Sequence, residues 1–237
     1  MRTYFPYTIF PLGDSALTVD FGNSIDQDLS AHVMSIFTYI QSHPVNGFIE
    51  CVPAYSSLTI FYNPVKLKNE IRNNETISDI AREKLEEVLE MKNIFSPEKP
   101  RTVKVPVCYD EVFAPDTKLV LREKKISKQE LISIHSAAEY RVYMLGFLPG
   151  FAYMGEIDEK IRMPRKASPQ KVHAGSVGIA GNQTGVYPIH SPGGWQIIGR
   201  TPIRLYEKKD ADSFNTLFQP GDIVQFYSIS RDEFENY

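Results

Sequence analysis

The first hundred residues alternate between two hydrophobic periods. Between Ala16 and Phe21 every second residue is apolar, which predicts a half-buried strand. The next apolar residues are spaced as on one face of a helix, at Ile25, Leu29, Val33, Ile36, Phe37 and Ile40. His43-Pro44 predicts the end of this helix, because a residue before proline disfavours the helical conformation.

The same patterns predict further elements up to residue 107. Strands are expected at Phe48–Val52, Ser57–Tyr62 and Thr102–Val107. Capping-box patterns predict where the two helices begin, at Ser24 with Gln27 and at Thr76 with Asp79. The resulting order, strand-helix-strand-strand-helix-strand, is typical of a ferredoxin-like domain.

The second part of the chain is dominated by glycine and proline. Ser127 and Glu130 predict the start of a short helix that continues to about Ser136. Ten of the 14 glycines then lie between residues 146 and 199, where they separate short apolar runs. This pattern predicts an all-β barrel or sandwich, with a last strand at Ile223–Tyr227. The polar segment Ser96–Arg101 is the predicted linker, so we expect one domain over residues 1–98 and another over 99–237.

Composition limits the class of protein. The apolar fraction of 42% and the charged fraction of 23% are those of a globular protein. The net charge of −3 argues against nucleic acid and anionic membranes as partners. Two distant cysteines, no readable signal peptide and no apolar run of membrane-spanning length favour a cytoplasmic location.

No self-sufficient catalytic motif is present in the sequence. There is no G-x-x-x-x-G-K-S/T phosphate-binding loop and no dinucleotide fingerprint. Ala174 replaces the first glycine of a nucleophile elbow, and the five histidines lack metal-ligand spacing. A complete catalytic apparatus is therefore not expected in this chain alone.

The tract from Tyr140 to Pro202 is the predicted working surface, because it combines glycine, proline and aromatic residues. Trp195, the only tryptophan, offers a flat apolar face and one N–H donor to a ligand, or packs in the core. Arg200 has the geometry to bind a carboxylate or phosphate with two parallel hydrogen bonds, or is simply solvated. His135 shares the inward helix face with Leu131 and is either a general acid or base or a core histidine.

These motifs resemble the KipI family, also described as allophanate hydrolase subunit 1 or as the B subunit of 5-oxoprolinase. The resemblance covers nearly the whole chain. It rests on Gly146-Phe-Leu-Pro-Gly-Phe151, Pro164-Arg165, Ala174–Gly181, Gln183-Thr-Gly185 and Ser191–Pro202, and on Pro11–Leu17, Tyr55–Leu58 and Val105–Asp110 in the first half.

The resemblance implies a fold and a function. It implies an α+β protein in which a small α/β domain precedes a cyclophilin-like β-barrel domain. It also implies one component of an ATP-dependent 5-oxoprolinase, which opens 5-oxo-L-proline to L-glutamate.

The implied partners are a sister cyclophilin-like protein, which is the KipA-like C subunit, and a third protein similar to the A subunit. ATP is expected to bind with or through those partners, because this chain has no phosphate-binding loop, and no metal site is readable. The alternatives are an inhibitor of a sensor histidine kinase and a component of an allophanate or urea amidohydrolase.

In such an enzyme this chain orients and polarises the substrate. The predicted catalytic groups are His135, His190 and Arg200. The predicted substrate-binding residues are Phe147, Phe151, Arg165, Ser176, Gln183, Gly193, Gly194 and Trp195.

Overall fold

A computed structural model of the protein describes residues 5–72, 74–91, 100–210 and 214–237. The chain divides into two compact units, Met1–Lys99 and Pro100–Tyr237. The whole is a mixed α/β protein in which the second unit contains a closed barrel of seven strands.

The first unit is a four-stranded antiparallel sheet with helices. Its elements are β1 (Thr8–Pro11), β2 (Ala16–Asp20), α1 (Gln27–Ser42), β3 (Phe48–Pro53), β4 (Ser57–Tyr62), α2 (Pro64–Leu67), a 3₁₀ turn (Lys68–Glu70) and α3 (Ile77–Glu90). The strands lie in the order β1-β2-β4-β3. Alternate residues of β2 and β4 join the apolar faces of α1 and α3 in one core, as the hydrophobic periods predict.

Two predictions for this unit are wrong. Thr102–Val107 is not the last strand of this sheet, because it belongs to the barrel of the second unit. Thr8–Pro11 lies instead at the edge beside β2, so the observed order begins with two strands and the ferredoxin-like order is not found. Helix α1 is capped by Asp26, whose carboxylate accepts the Leu29 N–H at 2.8 Å, and not by Ser24.

Other helix boundaries follow the sequence prediction. The capping boxes at Thr76 with Asp79 and at Ser127 with Glu130 are both present and are confirmed. Helix α1 ends at Ser42, immediately before the His43-Pro44 stop.

The second unit is built around the barrel. Its strands are β5 (Thr102–Cys108), β6 (Glu139–Leu145), β7 (Ala152–Gly155), β8 (Gln170–Val172), β9 (Ser176–Ala180), β10 (Gln183–Val186), β11 (Ser191–Gly193), β12 (Gln196–Arg200), β13 (Tyr206–Lys208), β14 (Phe214–Thr216) and β15 (Ile223–Ile229). Its helical elements are α4 (Thr117–Lys124), α5 (Lys128–Ala137), a 3₁₀ turn (Glu159–Ile161) and α6 (Arg231–Glu235).

The barrel closes in the order β10-β7-β6-β15-β5-β12-β9, with β9 pairing back to β10. Its one parallel pair in the described chain is β5 with β15, and every other ladder is antiparallel. Strands β8 and β11 form a separate two-stranded ribbon, as do β13 and β14. Of the ten glycines between residues 146 and 199, five lie between strands, as their spacing predicts, and the other five lie inside strands.

Candidate functional site

A tight turn from Gly146 to Phe151 presents an exposed phenylalanine. The Gly146 N–H donates to Phe151 O at 3.1 Å, and the Phe151 N–H donates to Leu148 O at 2.9 Å. Within this turn Phe147 has a left-handed φ of 66°, and its side chain is 59% exposed. A bulky residue in this conformation carries backbone strain, and such strain is concentrated at functional sites.

The turn leads into a cluster of five aromatic side chains, which we call the aromatic cluster: Phe147, Phe151, Tyr153, Tyr187 and Trp195. Phe151 lies at its centre, with ring centroids 5.6 Å from Phe147, 4.9 Å from Tyr153, 5.1 Å from Tyr187 and 5.3 Å from Trp195. All four pairs are edge-to-face, the geometry that aromatic quadrupoles favour. Two of the predicted residues, Phe151 and Trp195, thus form one apolar wall that is almost fully buried, at 1% and 5% exposed, with Phe147 at its exposed end.

Two motif glycines allow this packing. A Cβ on Gly193 would lie 2.5 Å from Tyr187 Oη, and one on Gly185 would lie 2.8 Å from Ala152 O and 3.0 Å from the Trp195 ring. No other residue fits at either position without displacing an aromatic ring. Gly193, a predicted substrate-binding residue, therefore has a packing role.

Arg165 lies beside this wall. A Cβ on Gly194 would be 3.5 Å from Arg165 Nε, so the guanidinium lies against the glycine backbone, and the arginine itself is exposed. Burial raises the pKa of both Tyr153 and Tyr187, whereas the charge of Arg165 acts in the opposite direction on both phenols. The Trp195 backbone N–H, hydrogen-bonded to Tyr187, also opposes the rise in the Tyr187 pKa. An apolar wall, a cation and neutral phenols thus meet around Gly194.

The loop that carries Arg165 is fixed on both sides. The Lys166 N–H donates to Gly194 O at 2.7 Å, and Gln196 Nε2 donates to Pro164 O at 3.0 Å. Lys166 Nζ forms an ion pair with Asp116 at 2.6 Å, and the Ile197 N–H donates to the same carboxylate at 2.6 Å. Both side chains of the ion pair are mostly buried, with 12% and 14% exposed.

Sequence reasoning did not select Asp116, Lys166 or Gln196. Lys166 and Gln196 directly follow the predicted residues Arg165 and Trp195, so their position beside the motifs was the available signal. Asp116 had no such signal, because it comes from the start of α4, far from the motifs in sequence.

Two buried polar atoms near the cluster have no partner among the described residues. They are Ser191 Oγ on β11 and Gln196 Oε1 on β12. Because burying an unsatisfied polar atom is costly, such atoms point to water or to a ligand. Both belong to the segment that carries Gly193, Gly194 and Trp195.

Arg200 lies in a different place. It lines a cleft with Ala174, Gly175, Arg204 and Phe234, and none of the described lining residues belongs to the aromatic cluster. Its Nε donates to Ala174 O at 2.8 Å. Ser176 pairs with Arg200 in the β9–β12 ladder and is itself 4% exposed. The structure therefore groups Arg200 and Ser176 together, away from Arg165.

His135 lies in the barrel core with no exposed surface. Thr184 Oγ1 donates to Gly178 O at 3.1 Å, so at 2.9 Å it accepts the Nε2 proton of His135. The Nδ1 atom then accepts from the Tyr109 hydroxyl at 2.7 Å. Burial lowers the pKa of His135 to about 3, so the ring is neutral. This is the arrangement of a core histidine, which the sequence left open, and not of a group that meets a substrate.

The remaining predicted residues are at strand ends. His190 is exposed, and its ring centroid lies 5.2 Å from that of His173, next to the β8–β11 ribbon. Gln183 begins β10 opposite Gly155 of β7 and is half-buried. Neither is part of the aromatic cluster.

The described ranges offer neither a metal-binding cluster nor a membrane-spanning helix. These residues contain no group of three or more His, Cys, Asp or Glu side chains with the geometry to hold a metal ion. No helix in the same ranges has the length and apolarity needed to cross a bilayer.

Comparison with known proteins gives consistent matches. The family model of the carboxyltransferase domain, subdomain C and D, matches residues 7–217. The B subunit of 5-oxoprolinase from Bacillus subtilis (strain 168) is 42% identical over 237 residues, covering 98% of this chain and 96% of that protein.

Solved structures share the fold. The protein TTHA0988 superposes with a TM-score of 0.75 at 29% identity, covering 91% of this chain and 40% of its own length. The K. lactis urea amidolyase superposes with a TM-score of 0.72 at 18% identity, covering 97% of this chain and 15% of its own. This chain thus spans less than half the length of both solved proteins. The family match over residues 7–217 and the full-length relative confirm the motif resemblance: the chain belongs to the carboxyltransferase domain C and D family, together with the B subunits of 5-oxoprolinases.

Proposed function

We propose that this chain is the B subunit of a heteromeric, ATP-dependent 5-oxoprolinase, which hydrolyses 5-oxo-L-proline to L-glutamate. The full-length similarity to a protein of that name supports the assignment. The observation that carries it on the structural side is the wall of Phe151 and Trp195 with Arg165 at its edge. The substrate is a small five-membered lactam with one carboxylate, and this site offers a surface for each part.

The chemistry assigned to the site is binding and orientation. The Arg165 guanidinium binds the substrate carboxylate, because its planar fork matches two carboxylate oxygens. The lactam ring lies against the exposed ring of Phe147, and Phe151 and Trp195, which are 1% and 5% exposed, pack behind that ring. Holding the ring in one orientation presents its amide to groups on the partner proteins, which lowers the entropic part of the barrier.

Polar groups beside the wall complete the binding site. Ser191 Oγ and Gln196 Oε1 are buried and lack partners among the described residues, so each offers a hydrogen-bonding site to an enclosed water beside the substrate. His190, exposed on the neighbouring ribbon, remains the predicted group for proton transfer. His135 has no such role in this proposal, because it is enclosed in the core.

The chain carries no recognisable ATP-binding motif. The sequence has no phosphate-binding loop, and the described residues contain no metal-ligand cluster for a nucleotide-bound cation. We assign ATP to the complex, whose other members in the cytoplasm are a sister cyclophilin-like C subunit and a protein similar to the A subunit.

In this proposal the barrel is cyclophilin-like. The first unit is a permuted form of the ferredoxin-like sheet, in which β1 occupies the edge otherwise taken by the last strand.

Reconstitution tests the function. We expect 5-oxoproline-dependent glutamate release and ATP hydrolysis only when this chain is combined with both partners, and none from the chain alone. Turnover without this chain would contradict the proposal, as would a complete complex that ignores 5-oxoproline but consumes urea or allophanate.

A variant tests the sequence-based role of Arg200 in the same assay. Arg200→Ala with unchanged kinetics would remove Arg200 from the substrate site, as its separate position in the structure predicts.

A further inference from the structure

The cleft around Arg200 is a candidate site in its own right. It has a volume of about 320 Å³, at the lower end of the range for small-molecule pockets. Its walls come from the segment that follows β12, from the Ala174–Gly175 turn and from Phe234 of α6. None of the described residues that line it belongs to the aromatic cluster.

The charge in this cleft is unbalanced. Arg200 and Arg204 are its charged lining residues, and no carboxylate lines it in the described chain. None of the ion pairs formed by the described residues involves either arginine. Of the three carboxylates of α6, Glu233 bonds to Ser230 and Glu235 pairs with Arg231, and Asp232 is not among the residues that line the cleft.

The Arg200 guanidinium is held in a fixed direction. Its Nε donates to Ala174 O at 2.8 Å, which leaves the two terminal nitrogens for another acceptor. Its central carbon lies 6.0 Å from the centroid of the Phe234 ring. A positioned guanidinium loses less conformational entropy when it binds an anion than a free surface arginine does.

The Ala174–Gly175 turn that lines the cleft is equally fixed. Gly175 has a left-handed φ of 81°, and a Cβ there would overlap Thr201 O. The Thr201 N–H donates to Gly175 O at 2.9 Å, and the Gly175 N–H donates to Tyr187 O at 2.7 Å. Only glycine therefore allows the turn to pack against Thr201 and line the cleft.

We propose that this cleft is a second binding site, specific for a phosphate-type oxyanion. Two guanidinium groups without a countercharge favour a dianion over a monocarboxylate, and the fork of Arg200 suits two oxygens of one phosphoryl group. The proposal does not depend on the proposed 5-oxoprolinase activity, because the cleft is formed by this chain alone.

Titration of the full chain with inorganic phosphate at constant ionic strength tests the site. Calorimetry gives the Kd, and amide NMR shifts of Gly175 and Thr201 report the location. We expect saturable binding, with a Kd about tenfold higher in Arg204→Gln than in the wild type. The Kd should be higher still in Arg200→Lys, because lysine keeps the charge but lacks the planar guanidinium. Arg122→Gln is the matched control: it removes the same charge from a side chain that is 73% exposed on α4, and it should leave the Kd unchanged.

Three results would overturn the proposal. The first is the absence of saturable phosphate binding, and the second is an equal loss of affinity in Arg122→Gln and Arg204→Gln. The third is tighter binding of 5-oxoproline or glutamate than of phosphate, with shifts at Gly175. Arg204→Gln keeps the test independent of folding, because the exposed Arg204 makes no ion pair in the described structure.

Discussion

Two groups of polar residues lie in the same barrel unit and differ in how their hydrogen bonds are satisfied. Around His135, each ring nitrogen has a partner, and the chain of bonds ends on the Gly178 carbonyl. Around Trp195, Ser191 Oγ and Gln196 Oε1 are buried without a partner in the described structure. Arg165 lies beside Trp195, exposed.

This difference distinguishes polar groups that stabilise the fold from polar groups that can bind a ligand. A network that satisfies itself has nothing left to offer a ligand, and it stabilises one arrangement of the strands. A group that leaves acceptors unsatisfied in the free protein recovers that cost when a ligand supplies the donors. By this criterion His135 serves the barrel core, and the unpartnered Ser191 Oγ and Gln196 Oε1 support our proposal that substrate binds at the aromatic cluster.

The largest expected effect is the loss of stability in His135→Ala. Removing the ring leaves a cavity and deprives Tyr109 and Thr184 of their buried partner, so we expect a loss of about 4 kcal/mol in the free energy of unfolding. Urea titration followed by the fluorescence of Trp195, the only tryptophan, reports on this unit. His190→Ala, at an exposed position, should change the value by less than about 0.5 kcal/mol. Similar losses in both variants would contradict the structural role of His135 in the barrel core.

Arg165→Gln should act on binding rather than on stability. Loss of a charge-assisted bond to the substrate carboxylate is expected to cost about 2 kcal/mol, which corresponds to a roughly 30-fold rise in KM for 5-oxoproline in the reconstituted complex. Arg162→Gln, an arginine three residues away that pairs with Glu156 and Glu159, is the control. If both variants have the wild-type KM, Arg165 does not bind the substrate.

Acid should weaken the barrel unit through His135. The unfolded chain binds this proton with an ordinary pKa near 6.5, whereas burial lowers the folded pKa to about 3. Between these values the unfolded state binds more protons, so the free energy of unfolding falls as pH falls, by up to about 1.4 kcal/mol per pH unit. The groups that face the ring are the neutral phenols Tyr109 and Tyr140, whose pKa values burial raises, together with Thr184 and Phe226.

Urea titrations between pH 7 and pH 5 measure this slope. His135→Gln should flatten it, since the glutamine does not titrate. Burial also lowers the pKa of His32, which lies in the first unit. His32→Gln is therefore the control variant. An unchanged slope in His135→Gln would show that another group takes up the proton.

Phe147→Ala should have only a small effect on stability. The ring is 59% exposed and contacts Phe151 and Tyr187 only edge-to-face, at 5.6 and 6.4 Å, so stability should fall by less than about 1 kcal/mol. If the ring covers the substrate, KM should still rise by about fivefold. A larger stability loss without a kinetic effect would assign Phe147 to packing.

The local elements of this fold were readable from the sequence. Strand β4 has the predicted bounds Ser57–Tyr62, and the boxes at Thr76 and Ser127 begin their helices, because these signals depend on neighbouring residues alone. Ser24 is not the cap because Asp26, two residues on, is an equally good acceptor. The predicted sheet for Thr102–Val107 is wrong because strand partners are fixed by contacts distant in sequence.

The grouping of the candidate residues was less predictable. Arg165, Gly194 and Trp195 come together as adjacent motifs of one tract, whereas Arg200, five residues after Trp195, lines another cleft. The contribution of Asp116 required the fold itself, because α4 brings it to Lys166 from another part of the chain. Sequence identifies which residues carry chemistry more readily than it shows which of them share a site.

The central claim is that substrate binds against the aromatic cluster, and Trp195 is the most direct reporter. Incorporating 5-fluorotryptophan into this chain places one ¹⁹F label at that ring in the assembled complex. We predict that 5-oxoproline shifts this resonance saturably and that Arg165→Gln weakens the response by the same factor as KM. A resonance that stays unchanged while the complex turns over 5-oxoproline would contradict the account.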